Sequence, residues 1–264
     1  MEDKEKLEFN KPCNLNIEYI IVDNNLFNDY RNIKNNYILY YRWVLDKYIN
    51  SEKVIFMDTD IIIRWDISKL YCTDLWNSII WASKDCVLRN TLILEEYGIK
   101  KYFNAWVQLI NLKRWKNEDI WKKAFSFLNK NYGRLPLYDQ DTLNIILKDD
   151  WLCLSPKYNW LWRDKIWYKE SQYSKKEYDE LNNPIIIHYA WPTHRPWKWL
   201  ICLHPYRYFY FKYIFKTKYR DSSDIFMFIF RIFSSNIIVR YIGKTIITVL
   251  WKIRRIYLNI KKWQ

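Results

Sequence analysis

The chain has 264 residues, of which half are hydrophobic and one fifth are aromatic. This composition suits one domain with a buried core and excludes an intrinsically disordered chain. The formal charge of +14 is uneven, because 13 of the 43 Lys and Arg but only 2 of the 29 Asp and Glu lie from Tyr206 onward. A basic tail of this kind favours an anionic partner, either a membrane or a nucleic acid.

The five cysteines are scattered along the chain and form no C-x-x-C pair. This pattern disfavours a disulfide framework or a zinc site and favours a reducing compartment. The charged N-terminus, MEDKEKLEFNKP, does not have the apolar run of a signal peptide. We therefore predict a cytoplasmic location.

Strand-like and helix-like segments alternate along the first 200 residues. Residues 17–22 have strand character, the turn-like 23–25 follow, and tyrosines spaced for one face predict a helix at 36–49. Later segments with strand character are 53–57, 78–83 and 184–187, and those with helix character are 118–131 and 139–147. Residues 61–63 form a second apolar run, and 103–112 are apolar with polar interruptions at Asn104, Gln108 and Asn111. The alternation predicts an α/β domain.

The tail has a different pattern. Its apolar runs, 225–239 and 245–260, are interrupted by Lys and Arg, so neither reaches the roughly 20 apolar residues that span a bilayer. Basic amphipathic helices lying in a membrane interface fit this pattern. An ordinary basic helix pair packed on the domain is the alternative. We predict a domain at 1–205 and a membrane-associating tail at 206–264.

Asp58 and Asp60 follow a predicted buried strand and are two residues apart. In an extended chain such residues point to the same side, and the loops after strand ends are where open α/β sheets bind ligands. Two converging carboxylates can hold Mn²⁺ or Mg²⁺. The D-x-D pattern recurs at Asp139-Gln140-Asp141, so chance remains an alternative.

His188 follows the apolar run 185–187. A lone histidine at a strand end is more often a structural hydrogen-bonding group than a ligand. Joined to Asp58 and Asp60, its imidazole would complete a catalytic metal site with open positions for phosphate oxygens. Spacing alone does not bring these three residues together.

Five blocks in order resemble glycosyltransferase family 8. They are YYRWVLDKYINSEKVIFMDTDIII, LYCTDLWNSIIWASKDC, YFNAWVQLINLKRW, LYDQDTLN with KYNW, and IIIHYAWPTHRPWKW. They cover residues 14–205 and are most similar to the bacterial galactosyl- and glucosyltransferases that build lipopolysaccharide and lipooligosaccharide. The resemblance implies a single-domain nucleotide-sugar fold (GT-A type) with a mixed sheet.

The same resemblance implies a retaining enzyme that moves galactose or glucose from a UDP-sugar to a glycan or glycolipid acceptor. Asp58, Asp60 and His188 would bind Mn²⁺, or Mg²⁺, bridging the two donor phosphates. The other implied assignments are Arg42 and Asp85 to the donor sugar or diphosphate, Asn104 and Ala105 to the sugar and ribose pocket, Asp139 to the sugar hydroxyls, Gln140 to the reacting face, and Arg195 to the diphosphate.

The chemistry agrees with these residue types, because bond cleavage builds negative charge on UDP and positive charge on the sugar carbon. The metal and Arg195 would stabilise the leaving diphosphate, and carboxylates and amides suit an oxocarbenium-like centre. Gln140 is a poor nucleophile, so we favour same-face attack by the acceptor hydroxyl. A glycosyl adduct on Gln140 or Asp139 would refute this hypothesis.

Two departures from the family support a different interpretation. The uridine-binding segment that opens family members has no counterpart here, which predicts an N-terminally truncated domain. Tryptophan also stands where the family usually has glycine, at Trp65, Trp76, Trp81, Trp106 and Trp191. An indole at 106 or 191 would occupy ligand space. The alternative function is therefore an inactive remnant, membrane-associated without turnover.

The chain has 16 tryptophans and only 3 glycines. UGA encodes tryptophan in some genetic codes and glycine in others, so we hypothesise that some of these tryptophans are misdecoded glycines. A nucleic-acid partner is disfavoured, because the basic residues alternate with Ile and Phe as in membrane helices and no nucleic-acid motif occurs. We predict a protein peripheral to the inner face of the cell membrane.

Overall fold

The computed structural model describes residues 16, 18–30, 37–85, 95–148, 150–166, 173–190, 194–197, 202, 204–217, 220 and 222–233. The chain divides into two compact units. The first is Asn16–His188, and the second contains Tyr189 and the described residues after it. The functional division after residue 205 stays a prediction.

Two mixed β-sheets form the centre of the first unit. Their strands are β1 Lys53–Met57, β2 Ile61–Ile63, β3 Ile80–Lys84, β4 Phe103–Asn111, β5 Trp151–Cys153, β6 Trp160–Leu161 and β7 Ile186–His188. The larger sheet has the order β1-β4-β3-β5 and the smaller one β2-β7-β6. Each contains antiparallel and parallel pairs. With the helices that surround them, these sheets confirm the predicted α/β class.

Along the chain, the helices of the first unit precede the first strand or connect later ones. The α-helices are α1 Ser68–Tyr71, α2 Leu112–Asn117, α3 Ile120–Lys130, α4 Tyr138–Leu147, α5 Trp162–Ile166 and α6 Lys175–Glu180, and the 3₁₀ helices are Asn24–Phe27, Tyr37–Lys47 and Pro156–Tyr158. Side-chain caps fix some helix starts: Asn111 accepts from the Arg114 amide, and Ser174 forms a capping box with Glu177. The helices predicted at 36–49, 118–131 and 139–147 are all present.

An aromatic core holds the first helices against the larger sheet. Phe125 of α3 contacts the rings of Phe27 and Trp43, and the Trp115 indole N–H donates to the Trp43 carbonyl at 2.9 Å. Trp43 and Trp115 are fully buried. Because these aromatic side chains bury large areas and the Trp115 indole N–H is satisfied, this core stabilises the packing of these helices.

The strand predicted at residues 17–22 is wrong for the described residues of that segment. Residues 18–22 have no regular structure, and Ile21 is 77% exposed. A strand needs a partner for its backbone hydrogen bonds, and no strand among the described residues pairs with this segment. The turn predicted at 23–25 is present, because Asp23 accepts from the Asn25 amide and starts a 3₁₀ helix.

Trp76 has a backbone conformation that bulky residues disfavour. Its φ is +47° and its side chain is 74% exposed, so packing offsets little of the strain. Glycine adopts the left-handed region without this strain. We expect Trp76→Gly to raise the free energy of unfolding by about 1 kcal/mol, measured by urea denaturation.

Trp65 provides the matched control for this prediction. It is also exposed, but its φ is not positive. Trp65→Gly removes a similar side chain and adds unfolded-state entropy without relieving strain, so we expect no gain in stability. Equal changes in the two variants would contradict the strain argument.

The second unit contains two described helices, α7 Arg207–Ile214 and α8 Ser222–Phe233. Phe211 of α7 is buried and contacts the ring of Phe228 on α8. The first tail helix predicted, at 225–239, is described as far as Phe233, and the second, at 245–260, lies outside the described residues. No helix in the described part of the chain combines the length and apolarity that a bilayer crossing requires.

Candidate metal centre

The strand register brings the first D-x-D pair to His188. β1 ends at Met57 and β2 begins at Ile61, so Asp58 and Asp60 lie on the short connection between two sheets. Ile61 of β2 is the register partner of His188 at the end of β7. The antiparallel pairing therefore places Asp60, one residue before Ile61, beside the imidazole.

The three side chains form a compact ligand set. Each offers one ligand atom, and these atoms all lie within 4.8 Å of one another. His188 Nε2 is 3.0 Å from Asp60 Oδ1, and His188 is only 1% exposed. Asp60 is buried and Asp58 is partly buried, and two carboxylates this close repel each other unless a cation neutralises them. The residues therefore fit a hard divalent ion such as Mn²⁺ or Mg²⁺.

The second D-x-D pair has other partners. Asp139 forms an ion pair with Arg42, whereas Asp141 accepts from the Tyr102 hydroxyl at 2.5 Å and from the Leu137 amide at 2.7 Å. Burial raises the pKa of Asp141, although these two hydrogen bonds oppose the shift. Among the described residues, Asp58, Asp60 and His188 are the acidic and imidazole cluster suited to a metal.

Arg42 places a positive charge near the ligand set. It lies in the 3₁₀ helix Tyr37–Lys47, is buried, and donates to the Ala105 carbonyl as well as to Asp139. Burial lowers its pKa to about 10, and the charge of Asp58 opposes that shift. The guanidinium thus stays charged at neutral pH and is fixed in direction by two partners.

A buried hydrogen-bond network contains the other predicted residues of this unit. Asp85 Oδ2 accepts from Gln140 Nε2 at 3.1 Å and from Asn104 Nδ2 at 3.3 Å. Gln140 Oε1 in turn accepts from the Ala105 amide at 3.0 Å. Strands β3 and β4 and the first turn of α4 bring these groups together, so residues far apart in sequence share one buried network.

Arg163 and Asp164 belong to the same buried network, although sequence analysis did not select them. Arg163 Nη2 is 2.7 Å from Asp85 Oδ1, and its Nε is 3.3 Å from Asp164 Oδ1. Burial raises the pKa of Asp164 to about 7, against the lowering effect of Arg163. Burial disfavours the charge on Arg163, but the two carboxylates outweigh it and raise its pKa. No motif spacing marks this buried cluster in the sequence.

Trp106 lies against this candidate ligand set. Its ring is edge-on to the His188 imidazole, with centroids 5.5 Å apart, and its carbonyl accepts from the Asp58 amide at 2.9 Å. Of the other predicted positions, Arg195 belongs to the second unit, so its role stays a prediction. Trp191 lies outside the described residues.

The glycosyl transferase family 8 model matches residues 2–200. A match over most of the chain shows membership, so this chain belongs to glycosyl transferase family 8 and the resemblance of its motifs is confirmed. The fold is likewise that of a glycosyltransferase. The crystal structure of the galactosyltransferase LgtC with donor and acceptor sugar analogues superposes with a TM-score of 0.60 at 25% identity, covering 71% of this chain and 70% of that one.

Two relatives extend the comparison. The chain is 30% identical over 222 residues to general stress protein A of Bacillus subtilis strain 168, covering 79% of this chain and 76% of that protein. It is 26% identical over 158 residues to the lipopolysaccharide 1,2-glucosyltransferase of Escherichia coli strain K12, covering 58% of this chain and 46% of that protein. The chain therefore spans less than half the length of this second relative.

Proposed function

We propose that this protein is a retaining hexosyltransferase that moves galactose or glucose from a UDP-sugar to a cell-surface glycan such as lipopolysaccharide. The observation that carries the proposal is the convergence of Asp58, Asp60 and His188 into one ligand set. The names of the lipopolysaccharide glucosyltransferase and of LgtC support the hexose and the acceptor class.

At the donor end, the ligand set would hold Mn²⁺, or Mg²⁺, whose Lewis acidity stabilises the departing diphosphate. Arg42 contributes a fixed positive charge close to Asp58. Because this charge is buried and held by two partners, it needs no reorientation as negative charge develops on the leaving group. Arg195 is proposed to contact the same diphosphate.

At the sugar end, Asp139 would hold the sugar hydroxyls, Asp85 would contact the donor sugar or its diphosphate, and Asn104 and Ala105 would line the pocket. Gln140 is held at both ends of its amide: Oε1 accepts from the Ala105 amide and Nε2 donates to Asp85. A carbonyl oxygen engaged in this way is a weaker nucleophile. This geometry supports attack by the acceptor hydroxyl on the same face of the sugar, without a covalent intermediate.

The tail is proposed to hold the enzyme on the cytoplasmic face of an anionic membrane. Helix α8 exposes the apolar side chains of Ile225 and Phe226, and most of the excess positive charge lies from Tyr206 onward. Apolar side chains combined with basic residues favour binding at the lipid interface. This location would bring the site to glycolipid acceptors.

The inactive remnant is the second candidate, and the position of Trp106 favours it. Its indole contacts His188, a metal ligand in our proposal, where the donor phosphates need space. Such a protein would keep the fold and the membrane tail without turnover.

One experiment separates the two candidates. The full chain is incubated with UDP-galactose or UDP-glucose and lipooligosaccharide, and UDP release is measured with Mn²⁺, after chelation by EDTA, and after Mn²⁺ is restored. A transferase releases UDP only in the first and third conditions. Absence of UDP release in every condition, with the protein still sedimenting with anionic vesicles, would support the remnant and contradict the transferase.

A further inference from the structure

Asn159 contacts the side of the His188 ring that faces away from Asp60. It is fully buried at the start of β6, between the 3₁₀ helix Pro156–Tyr158 and Trp160. Leu161 of β6 pairs with His188 of β7, so neighbouring strands hold the two residues side by side. Asn159 Oδ1 is 2.8 Å from His188 Nδ1, on the opposite side of the ring from Asp60.

The direction of the Asn159–His188 hydrogen bond can be derived from Asp85. The side-chain amides of Asn104 and Asn159 connect that carboxylate to His188. Asp85 pairs with Arg163 at 2.7 Å, so it is ionised and can only accept hydrogen bonds. Its neighbour Asn104, 3.3 Å away, must therefore present its NH₂ group to Asp85. The Asn104 carbonyl oxygen then points the other way.

A second contact fixes the same orientation independently. Asn104 Oδ1 lies 3.2 Å from the backbone N–H of Trp106, which can only donate. The same oxygen is 2.8 Å from Asn159 Nδ2. Asn159 therefore donates to Asn104 and turns its own carbonyl oxygen to His188. Since that oxygen can only accept, His188 must carry its proton on Nδ1.

We propose that Asn159 is a positioning residue that sets the tautomer of His188. In the neutral ring, a proton on Nδ1 leaves the Nε2 lone pair directed toward Asp58 and Asp60, which is the form that binds a metal ion. Without the ion, Asp60 at 3.0 Å competes for a proton on Nε2, and the acceptor oxygen of Asn159 at 2.8 Å favours Nδ1. This proposal rests on the proposed function, because the tautomer matters for activity only if His188 binds a metal ion. The tautomer itself can be measured in the metal-free chain. The tautomer is set by the series of hydrogen bonds that runs from Asp85 through Asn104 and Asn159 to His188.

The test measures the imidazole directly. The chain has 3 histidines, so a long-range ¹H–¹⁵N spectrum of histidine-labelled protein resolves each tautomer once the His188 signal is identified by its loss in His188→Gln. In metal-free protein, at a pH where the ring is neutral, we expect the proton of His188 on Nδ1. A proton on Nε2 in the wild-type chain would overturn the proposal.

Asn159→Leu removes the acceptor with little change in volume. We expect the proton to move to Nε2, where Asp60 accepts it, and the Mn²⁺ affinity, measured by electron paramagnetic resonance, to fall by about 10- to 100-fold. Asn144→Leu is the matched control, because Asn144 is equally buried and its side chain hydrogen-bonds to backbone groups of Phe103 and Gln140 rather than to His188. It should change neither quantity.

If Asn159→Leu does not fold, the wild-type spectrum still decides, because a proton on Nε2 of His188 there contradicts the role of Asn159. An Asn159→Leu protein that folds, keeps the proton on Nδ1 and binds Mn²⁺ with wild-type affinity would refute the positioning role. A correct tautomer without any UDP release would instead count against the transferase function alone.

Discussion

Replacing Asp60 by asparagine is expected to reduce Mn²⁺-dependent UDP release by about 10³-fold, equivalent to roughly 4 kcal/mol of transition-state stabilisation. The amide keeps the size of the side chain but removes the negative charge that faces His188 at 3.0 Å. Because the ion would lose one of three protein ligands, both its affinity and its hold on the diphosphate should fall. Steady-state UDP release at saturating Mn²⁺ measures the loss.

Asp66→Asn is the control for this substitution. Asp66 lies just after β2, as Asp60 lies just before it, but the Asp66 carboxylate is exposed and accepts from the Ser68 amide and hydroxyl. We expect activity within about twofold of the wild type, as for most surface changes. Thermal unfolding of both variants checks that each is folded. Similar activity in the two variants would remove Asp60 from the proposed site.

Arg163→Met is expected to lower the free energy of unfolding by about 3–5 kcal/mol in urea denaturation. The guanidinium is buried between Asp85 and Asp164, so its loss leaves two carboxylates in the interior without their cation. Arg134→Met is the control, because Arg134 pairs with Glu96 at 2.9 Å but both side chains are about half exposed. A pair of that kind contributes less than about 1 kcal/mol.

The pH dependence of the Arg163 effect has a defined sign. Burial raises the pKa of Asp164 to about 7 in the folded protein, well above its ordinary value of 3.8. A group with a raised folded-state pKa stabilises the fold at low pH and loses that contribution as pH rises through the folded pKa. Removing Arg163 takes away a charge that lowers this pKa. The deficit should therefore be larger at pH 8 than at pH 5, and the opposite trend would contradict the assignment.

Strands with strong apolar runs could be predicted from the sequence, and weaker ones could not. The run before Asp58 and the run before His188 became β1 and β7. β7 is buried as predicted, whereas β1 is an edge strand whose residues are all only partly buried, so the prediction of a buried strand is wrong there. β5 and β6 are three and two residues long, too short to show a period. Residues 18–22 have the composition of a strand, but composition does not supply a hydrogen-bonding partner.

The candidate site, too, could be predicted only where its residues carry a signal that is local in the sequence. The D-x-D pair was visible as local spacing, and the family resemblance named His188, but neither showed the β2–β7 register that joins them. Asn159 and Arg163 carry no local signal, because their importance comes from long-range contacts with His188 and Asp85. Asn159 stood inside the KYNW block without an assigned role.

Two structural observations bear on the tryptophan pattern. Trp76 has a positive φ, a conformation where glycine is favoured. Trp106 contacts His188, and a glycine there would leave the space beside the imidazole open. Both facts support the hypothesis that some tryptophans are misdecoded glycines. UGG codons at positions 65, 76, 81, 106 and 191 would rule it out.

The connection between β1 and β2 crosses from the larger sheet to the smaller one. Asp58 follows a strand of the first, whereas Asp60 and His188 flank the β2–β7 pair of the second. A chelated ion would therefore cross-link the sheets, and a partly folded chain with one sheet alone would hold an incomplete coordination sphere. Metal occupancy would then indicate that folding is complete. Above the Kd of the ion, each tenfold rise in its free concentration would add about 1.4 kcal/mol to the free energy of unfolding.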